Sequence, residues 1–389
     1  MLLCTAMPFG YGPAAKVLVL ASVLKDRGFR LVFSGRGIAL ELASRAAHLF
    51  DDILAHGPEG PSPAIVRSAS AVLSVMDRES AQAALDASVP LYVVDSLLWM
   101  RDSIPSALRG ARRYWAQNFL GFDGTLAGYH PRLSIVGPII APLPLRHRTA
   151  AEHLLINLGG CESPTGVDAN ARAYASFIVA GLRKSSLLRQ FAGRTTLIAG
   201  RSCIESLRAT SAGGDGALDL VSVSHANAIE RLAEASLVLT APGLTMTLES
   251  FQTGVPTYFL PPQNYSQWCV LRLLRGEGLA PHALHWDELP DTPYLRDRMP
   301  EAERNPLVRA AIGHHTGADE ARSRLTQRMN DIAQANHAAT AETQTRFFES
   351  LGPNGAFTIA ADIGDDMKSA DVGSGAGWRR GISTATLTN

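Results

Sequence analysis

The stretch APGLTMTLES (241–250) holds the chain's densest chemistry. An apolar run, SLVLT, ends in Ala241-Pro242-Gly243, and Leu-Thr-Met-Thr then opens a helical pattern. Free N–H groups at such a helix start, with the dipole behind them, favour a phosphate. Thr245 and Thr247, on either side of Met246, add hydroxyl donors. Glu249 lies far enough along to reach vicinal sugar hydroxyls, as acids do for ribose in other nucleotide folds. The plainer alternative makes Thr245 an N-cap and leaves Glu249 exposed.

Two other turns carry glycine pairs before helical patterns. MPFGYGPAAKVL (7–18) sets Gly10 and Gly12 around Tyr11, and LGGCES (158–163) contains Gly160. Neither is a G-x-G-x-x-G. Asp95 closes the apolar run LYVVD (91–95) just ahead of SLLWM, which carries Trp99. An acid at a strand end beside apolar neighbours is a candidate proton acceptor with a raised pKa. Its plainer reading is a cap for the segment that follows.

These residues need elements to hold them. The first part of the chain reads as βαβ: strands at 1–6, 29–35, 91–95 and 133–139, with helices from Pro13 to Gly28 and over 38–46. Pro13 suits a helix start, and Gly28 a stop. The segments around AIVRSASAVLSVMD and SAQAALDASV read as further helix or αβ material. IIAPLPLRHRTAAEH (139–153), with two prolines and few core residues, reads as a linker. The rhythm then restarts, with a strand and Gly-Gly turn in HLLINLGG (153–160), a strand at 195–200, a strand running into a turn in SLVLTAPG (236–243), a strand at 255–262, and helices at 167–186, 227–235, 244–254 and 264–278. Residues 318–350 read as helical. This predicts two α/β units, an N-terminal domain over 1–145 and a C-terminal domain over 151–350, with a Gly/Ser/Asp-rich tail at 363–389 expected to be disordered. Each unit should hold a parallel, doubly wound sheet, whose strands' carboxyl ends face a shared cleft.

Lys+Arg and Asp+Glu balance at 36 each, so nothing suggests a nucleic-acid footprint. Cys4, Cys161, Cys203 and Cys269 are scattered without ligand spacing, which argues against a metal site or a disulfide framework. The start MLLCTAMPFG lacks a basic n-region, and no apolar run is long enough for a bilayer. A cytoplasmic protein is the expectation.

The block APGLTMTLESFQTGVPTYFLPPQNYSQWCVLRLLRGEGLA (241–280) resembles the donor segment of GT-B glycosyltransferases. The resemblance rests on Gly243, the Thr-x-x-Glu step to Glu249, Gly254-Val255-Pro256, Pro261, the Gln263 and Gln267 loop, and Gly278-Leu279-Ala280. It is nearer the lipid II-forming N-acetylglucosamine transferases than plant-type enzymes, because Ala241-Pro242 replace a His-Gly-Gly. It implies two Rossmann-like domains and a UDP-sugar co-substrate without other cofactor or metal. The C-terminal domain would bind the donor, with VSVSH (221–225) beside the base and His225 as a pyrophosphate or base contact; a surface histidine is the alternative.

In that family the first turn often carries a histidine base. Here Tyr11 stands in its place, and tyrosine is a poor base at neutral pH. Tyr11 could stack on a flat acceptor, and Asp95 leads as base. Gly10, Tyr11, Gly12, Asp95 and Trp99 then form the acceptor wall. GYGPAAK, VVDSLLWMRDSIP (93–105) and NLGGCESP (157–164) together resemble cytosylglucuronate synthases, which join glucuronate from UDP-glucuronate to N1 of cytosine or hydroxymethylcytosine in nucleoside antibiotic biosynthesis. The expected partners are small-molecule substrates, and a homodimer is allowed. Rival readings are a nucleotide-sugar 2-epimerase or hydrolase, and a non-catalytic auxiliary subunit.

Overall fold

The computed structural model describes residues 1–101, 103–120, 130–143, 152–161, 169–210, 218–296 and 299–373. The first sheet has seven strands, β1 (Leu2–Ala6), β2 (Leu31–Gly35), β3 (Asp52–Ala55), β4 (Ala71–Val75), β5 (Leu91–Asp95), β6 (Arg113–Gln117) and β7 (Leu133–Val136). Their order is β3-β2-β1-β4-β5-β6-β7. The second has five, β8 (Leu154–Asn157), β9 (Thr195–Ile198), β10 (Asp219–Val221), β11 (Leu237–Thr240) and β12 (Thr257–Phe259), ordered β10-β9-β8-β11-β12. Every pairing is parallel.

The first sheet's helices are α1 (Tyr11–Asp26), α2 (Gly37–Arg45), α3 (Pro63–Ser68), α4 (Arg78–Asp86) and α5 (Ser106–Arg109). The second has α6 (Ala169–Lys184), α7 (Ser186–Gln190), α8 (Arg201–Thr210), α9 (His225–Glu234), α10 (Leu244–Thr253) and α11 (Tyr265–Gly276). Four more follow: α12 (Glu301–Gly317), α13 (Asp319–Ala333), α14 (His337–Ser350) and α15 (Gly355–Gly373).

In both sheets the chain winds outward from a first strand, then returns to that strand's other side. β1 sits between β2 and β4, and β8 between β9 and β11. Crevices at these reversals, beyond the strands' carboxyl ends, are where open α/β sheets bind ligands. The crevice elements are therefore the starts of α1 and α4 in one sheet, and of α10 with the LGG turn in the other.

Helix α1 differs from its sequence reading. It starts at Tyr11, ahead of Pro13, because Gly10 takes φ 80° to turn the chain out of β1. It is buried on nearly every face, since α2, α10 and α15 pack round it. Strands β3, β4 and β6 also go beyond the sequence reading, as β4 lies in the segment read as mixed helix material.

Two chain segments are corrected. The stretch after 139 is not a bare linker: Ile139 and Ile140 are fully buried, and Gly355 N–H donates to the Pro138 carbonyl at 2.9 Å. Residues 144–151 of that stretch lie outside the described residues. The tail expected to be disordered from 363 is helical through Gly373, because Ala356, Ile359, Ala360 and Ile363 form a stripe at helical spacing. That stripe returns the chain to the first domain's core. There Asp362 accepts from Trp115 Nε1 at 2.9 Å and Asp366 from Tyr92 OH at 2.7 Å. Residues 374–389 lie outside the described residues.

Candidate functional site between the two sheets

On the C-terminal side, β11 delivers the chain to Gly243, the N-cap of α10, and no side chain caps the helix there. Thr245 is thus not the N-cap. Its hydroxyl instead accepts from Lys16 Nζ of α1, 2.8 Å away across the crevice. The two helix starts nearly touch: a Cβ on Gly12 would lie 3.3 Å from Thr245 Oγ1. Thr247 is fully buried, and its Oγ1 has no hydrogen-bond partner among the described residues.

Glu249 is buried, not exposed, and its Oε1 meets His225 Nε2 at 2.8 Å. Ser224 caps α9 so that His225 opens that helix towards α10. Burial pulls the imidazole down, but the Glu249 charge and hydrogen bond outweigh it, with Lys16 opposing, so His225 titrates above its ordinary value. Lys16 is fully buried, and desolvation lowers its ammonium to about 8 despite the favourable field of Glu249. Lys16, Thr245, Glu249 and His225 therefore form one electrostatically linked set spanning both domains.

The other expected donor residues divide. Gly160 faces α1: a Cβ there would lie 3.9 Å from the Tyr11 ring and 3.4 Å from Ile38. Met246 packs with Val221 and Val223 against a small apolar cluster. Gln263 and Gln267 brace the loop, since Gln263 Nε2 donates to the Leu158 carbonyl at 2.7 Å and its N–H to Gln267 Oε1 at 2.9 Å. Glu162 and Ser163 of the LGGCES turn lie outside the described residues.

On the N-terminal side two expected site residues are buried in structural contacts. Asp95 ends β5 as expected, but it is fully buried. Its Oδ1 accepts from Leu97 N–H at 2.7 Å and its Oδ2 from Tyr114 OH at 2.7 Å, with Arg101 Nε at 3.4 Å. Leu97, Tyr114 and the Arg101 guanidinium together hold the carboxylate, so the acid secures the β5–β6 edge. Trp99 is likewise buried, its indole N–H bound to the Ser96 carbonyl at 2.9 Å and its ring against Phe119. It is core, not acceptor wall. Gly10 and Tyr11 remain at the crevice, with open space beside Gly10.

The acid at the reversal point is Asp77. It follows β4 directly, is itself buried, and caps α4, its two oxygens accepting, among the described residues, only from Ser80, from N–H at 3.4 Å and from Oγ. Met76 before it takes φ 57°, a left-handed turn that swings the chain from strand to helix. Met7 N–H of the chain leaving β1 bonds the Val75 carbonyl at 3.0 Å, so Asp77 and the Gly10–Tyr11 turn grow from adjoining strand ends. Burial raises the Asp77 carboxyl to about 6, the Glu79 carboxylate adds to this, and the Ser80 bonds oppose it.

A concavity of about 870 Å³ opens on the flank of the first domain between β3, α3 and α4. His56, Glu59, Arg67, Arg78, Glu79 and Gln82 line it, and Glu79 links it to Asp77. His56 Nδ1 lies 2.8 Å from the Gly57 carbonyl, while its buried Nε2 has no partner among the described residues. Lys16, Asp77 and His56 were all absent from the sequence-derived site. The D-x-x-S start of α4 was the available signal for Asp77. Among the described residues, no three His, Cys, Asp or Glu side chains gather as a metal site, and no helix is long and apolar enough to cross a membrane.

No protein-family model matches the chain, and no curated protein matches it in sequence. Solved structures do match in fold. MurG of Acinetobacter baumannii superposes with a TM-score of 0.52 at 12% identity, covering 94% of this chain and 99% of that one. The spinosyn rhamnosyltransferase SpnG complexed with thymidine diphosphate gives 0.57 at 12%, covering 93% and 99%. LpCGTa in complex with UDP gives 0.51 at 13%, covering 94% and 99%. The two facing parallel-sheet domains are the GT-B fold.

Proposed function

We propose that this chain transfers a glycosyl group from a UDP-sugar to a small-molecule acceptor. The observation that carries the reading is the uncapped start of α10, set with buried Thr245, Thr247 and Glu249 directly against the start of α1. N–H groups of that kind, in a site closed to water, stabilise charge developing on a departing diphosphate. SpnG and LpCGTa each hold a nucleoside diphosphate on the same fold, which supports a nucleotide donor here. Glu249 is assigned to the ribose hydroxyls, and His225 holds it in place from α9.

The acceptor is assigned to the N-terminal side, with Asp77 as base. A carboxyl at about 6 is mostly ionised at neutral pH yet more basic than an ordinary aspartate. The acceptor's N–H or O–H proton passes to Asp77, the acceptor atom bonds the anomeric carbon, and the bond from that carbon to the diphosphate oxygen breaks. We assign neutralisation of the leaving group to helix N–H groups and threonine hydroxyls, with no step given to a metal.

The finer reading is glucuronate transfer to N1 of cytosine or hydroxymethylcytosine. It rests on the sequence resemblance, and with Trp99 in the core the stacking surface falls to Tyr11 alone. Incubation with UDP-glucuronate and cytosine, followed by mass spectrometry, should yield the coupled product and UDP. Product with another UDP-sugar or acceptor would retain the transferase and discard the cytosylglucuronate assignment. Donor conversion without acceptor would replace the transferase by a hydrolase or epimerase.

A further inference from the structure

We infer that Lys16 is an anion-binding residue that closes the diphosphate site from the opposite domain. The inference deepens the donor reading above and rests on it for the identity of the anion. Lys16 lies between Ala15 and Val17 in α1, with no solvent exposure. A buried ammonium normally has a carboxylate partner, because an unpaired charge in the interior is costly. Among the described residues Lys16 has none: its bond is to the neutral Thr245 hydroxyl at 2.8 Å. Glu249 acts on it only through its field and is itself bonded to His225.

Three sources of positive potential thus meet. One is the ammonium. The other two are the starts of α1 and α10, whose N-caps Gly10 and Gly243 both lack side-chain capping bonds. They converge where Gly12 approaches Thr245. Thr245 is in the first turn of α10, so a phosphate seated on that turn lies within reach of the ammonium already bonded there. The chemistry that fits is a diphosphate, which brings more than one negative charge to a site holding more than one positive source. Lys16 would then pass from the hydroxyl to a phosphate oxygen as the nucleotide binds, and the first domain would sense an occupied donor site.

The test is calorimetric titration of UDP, uridine and inorganic pyrophosphate into the wild-type protein, Lys16→Met and Lys16→Arg, with thermal melts to verify folding. Lys16→Met should weaken UDP by about 10- to 100-fold, the size of one lost charge-assisted hydrogen bond, and leave uridine unchanged. Lys16→Arg should keep most of the UDP affinity. A variant-free readout guards against misfolding: UDP binding to the wild type at pH 8 should take up protons, measured in buffers of different ionisation enthalpy, as the anion draws a proton back onto Lys16. Folded Lys16→Met that binds UDP within twofold of wild type, or UDP binding without proton uptake, overturns the inference and leaves the donor reading standing. Pyrophosphate binding that depends on Lys16, with no binding of UDP, keeps the anion site and overturns the donor reading. Binding of neither overturns both.

Discussion

Helices α4 and α10 occupy matching places in their two sheets. Each follows the strand beside the sheet's first strand, where the winding reverses. Yet their N-termini are treated oppositely. Asp77 places its own carboxylate over the start of α4, whereas Gly243 leaves the start of α10 without a side-chain cap. A capped helix start has its orphan donors satisfied and carries its own acid at the strand end. An uncapped one offers donors and takes an acid from elsewhere. The contrast divides the labour of the cleft: a proton-accepting wall in one domain and an anion-accepting wall in the other.

The largest test of that division is Asp77→Asn. We expect turnover to fall about 10²- to 10⁴-fold, the usual worth of a general base, with UDP affinity within twofold of wild type by calorimetry. In the wild type, kcat/KM should fall on the acid side with a midpoint near 6, following the raised Asp77 carboxyl. Equal loss of turnover and UDP affinity would dissolve the distinction between the walls.

Asp95→Asn should act on stability instead. Replacing an oxygen that accepts from Leu97 N–H or Tyr114 OH by an amide donor should cost about 1–3 kcal/mol in denaturant unfolding, with kcat per folded molecule little changed. A folded Asp95→Asn enzyme with a selective loss of turnover would return the base to β5.

Gly243→Asp makes α10 resemble α4. Gly243 has φ −76°, which any residue adopts, and a Cβ there meets nothing closer than the Ala241 carbonyl at 4.0 Å. The new cap should alter stability by only a few tenths of a kcal/mol, the difference between glycine and aspartate at this position. UDP affinity should fall about tenfold or more, because the helix start is filled by the protein's own carboxylate. Unchanged affinity would place the diphosphate elsewhere.

The smallest effect is in the pH dependence of stability. The Asp77 carboxyl rises from 3.8 to about 6 on folding, so between those values the folded state binds more protons than the unfolded one. Stability contributed by this group should therefore fall as pH climbs through that window. Asp77→Asn should flatten the dependence, as followed by thermal melts from pH 4 to 7.

The same contrast decides what could be read from the sequence. The donor wall is local: strand, Ala-Pro-Gly and helix follow one another without interruption from Leu237 to Thr253, so SLVLTAPGLTMTLES announces its own geometry. The N-terminal wall is assembled from distant pieces. LYVVD reads correctly as a strand ending in an acid, but the Tyr114 hydroxyl that occupies it comes from a strand, RYWAQ, with no clear alternation. Asp77 was hidden because Met76 makes a left-handed turn without the glycine that would have marked it. Nothing in the helical pattern around Lys16 marks it, because the Thr245 hydroxyl it bonds lies 229 residues away. The end of the chain misled by composition: Gly, Asp and Ser suggest disorder, while the spacing of Ile359 and Ile363 is what docks α15.

The account stands most directly on the donor wall binding a nucleotide sugar. Thermal melts with and without a panel of UDP-sugars measure this. A sugar supplied at about 100 times its dissociation constant should stabilise the wild-type protein by roughly 2.7 kcal/mol, and the shift should shrink in Glu249→Ala. No shift with any UDP-sugar, or a shift that Glu249→Ala leaves intact, would contradict the assignment of α10 as the donor site.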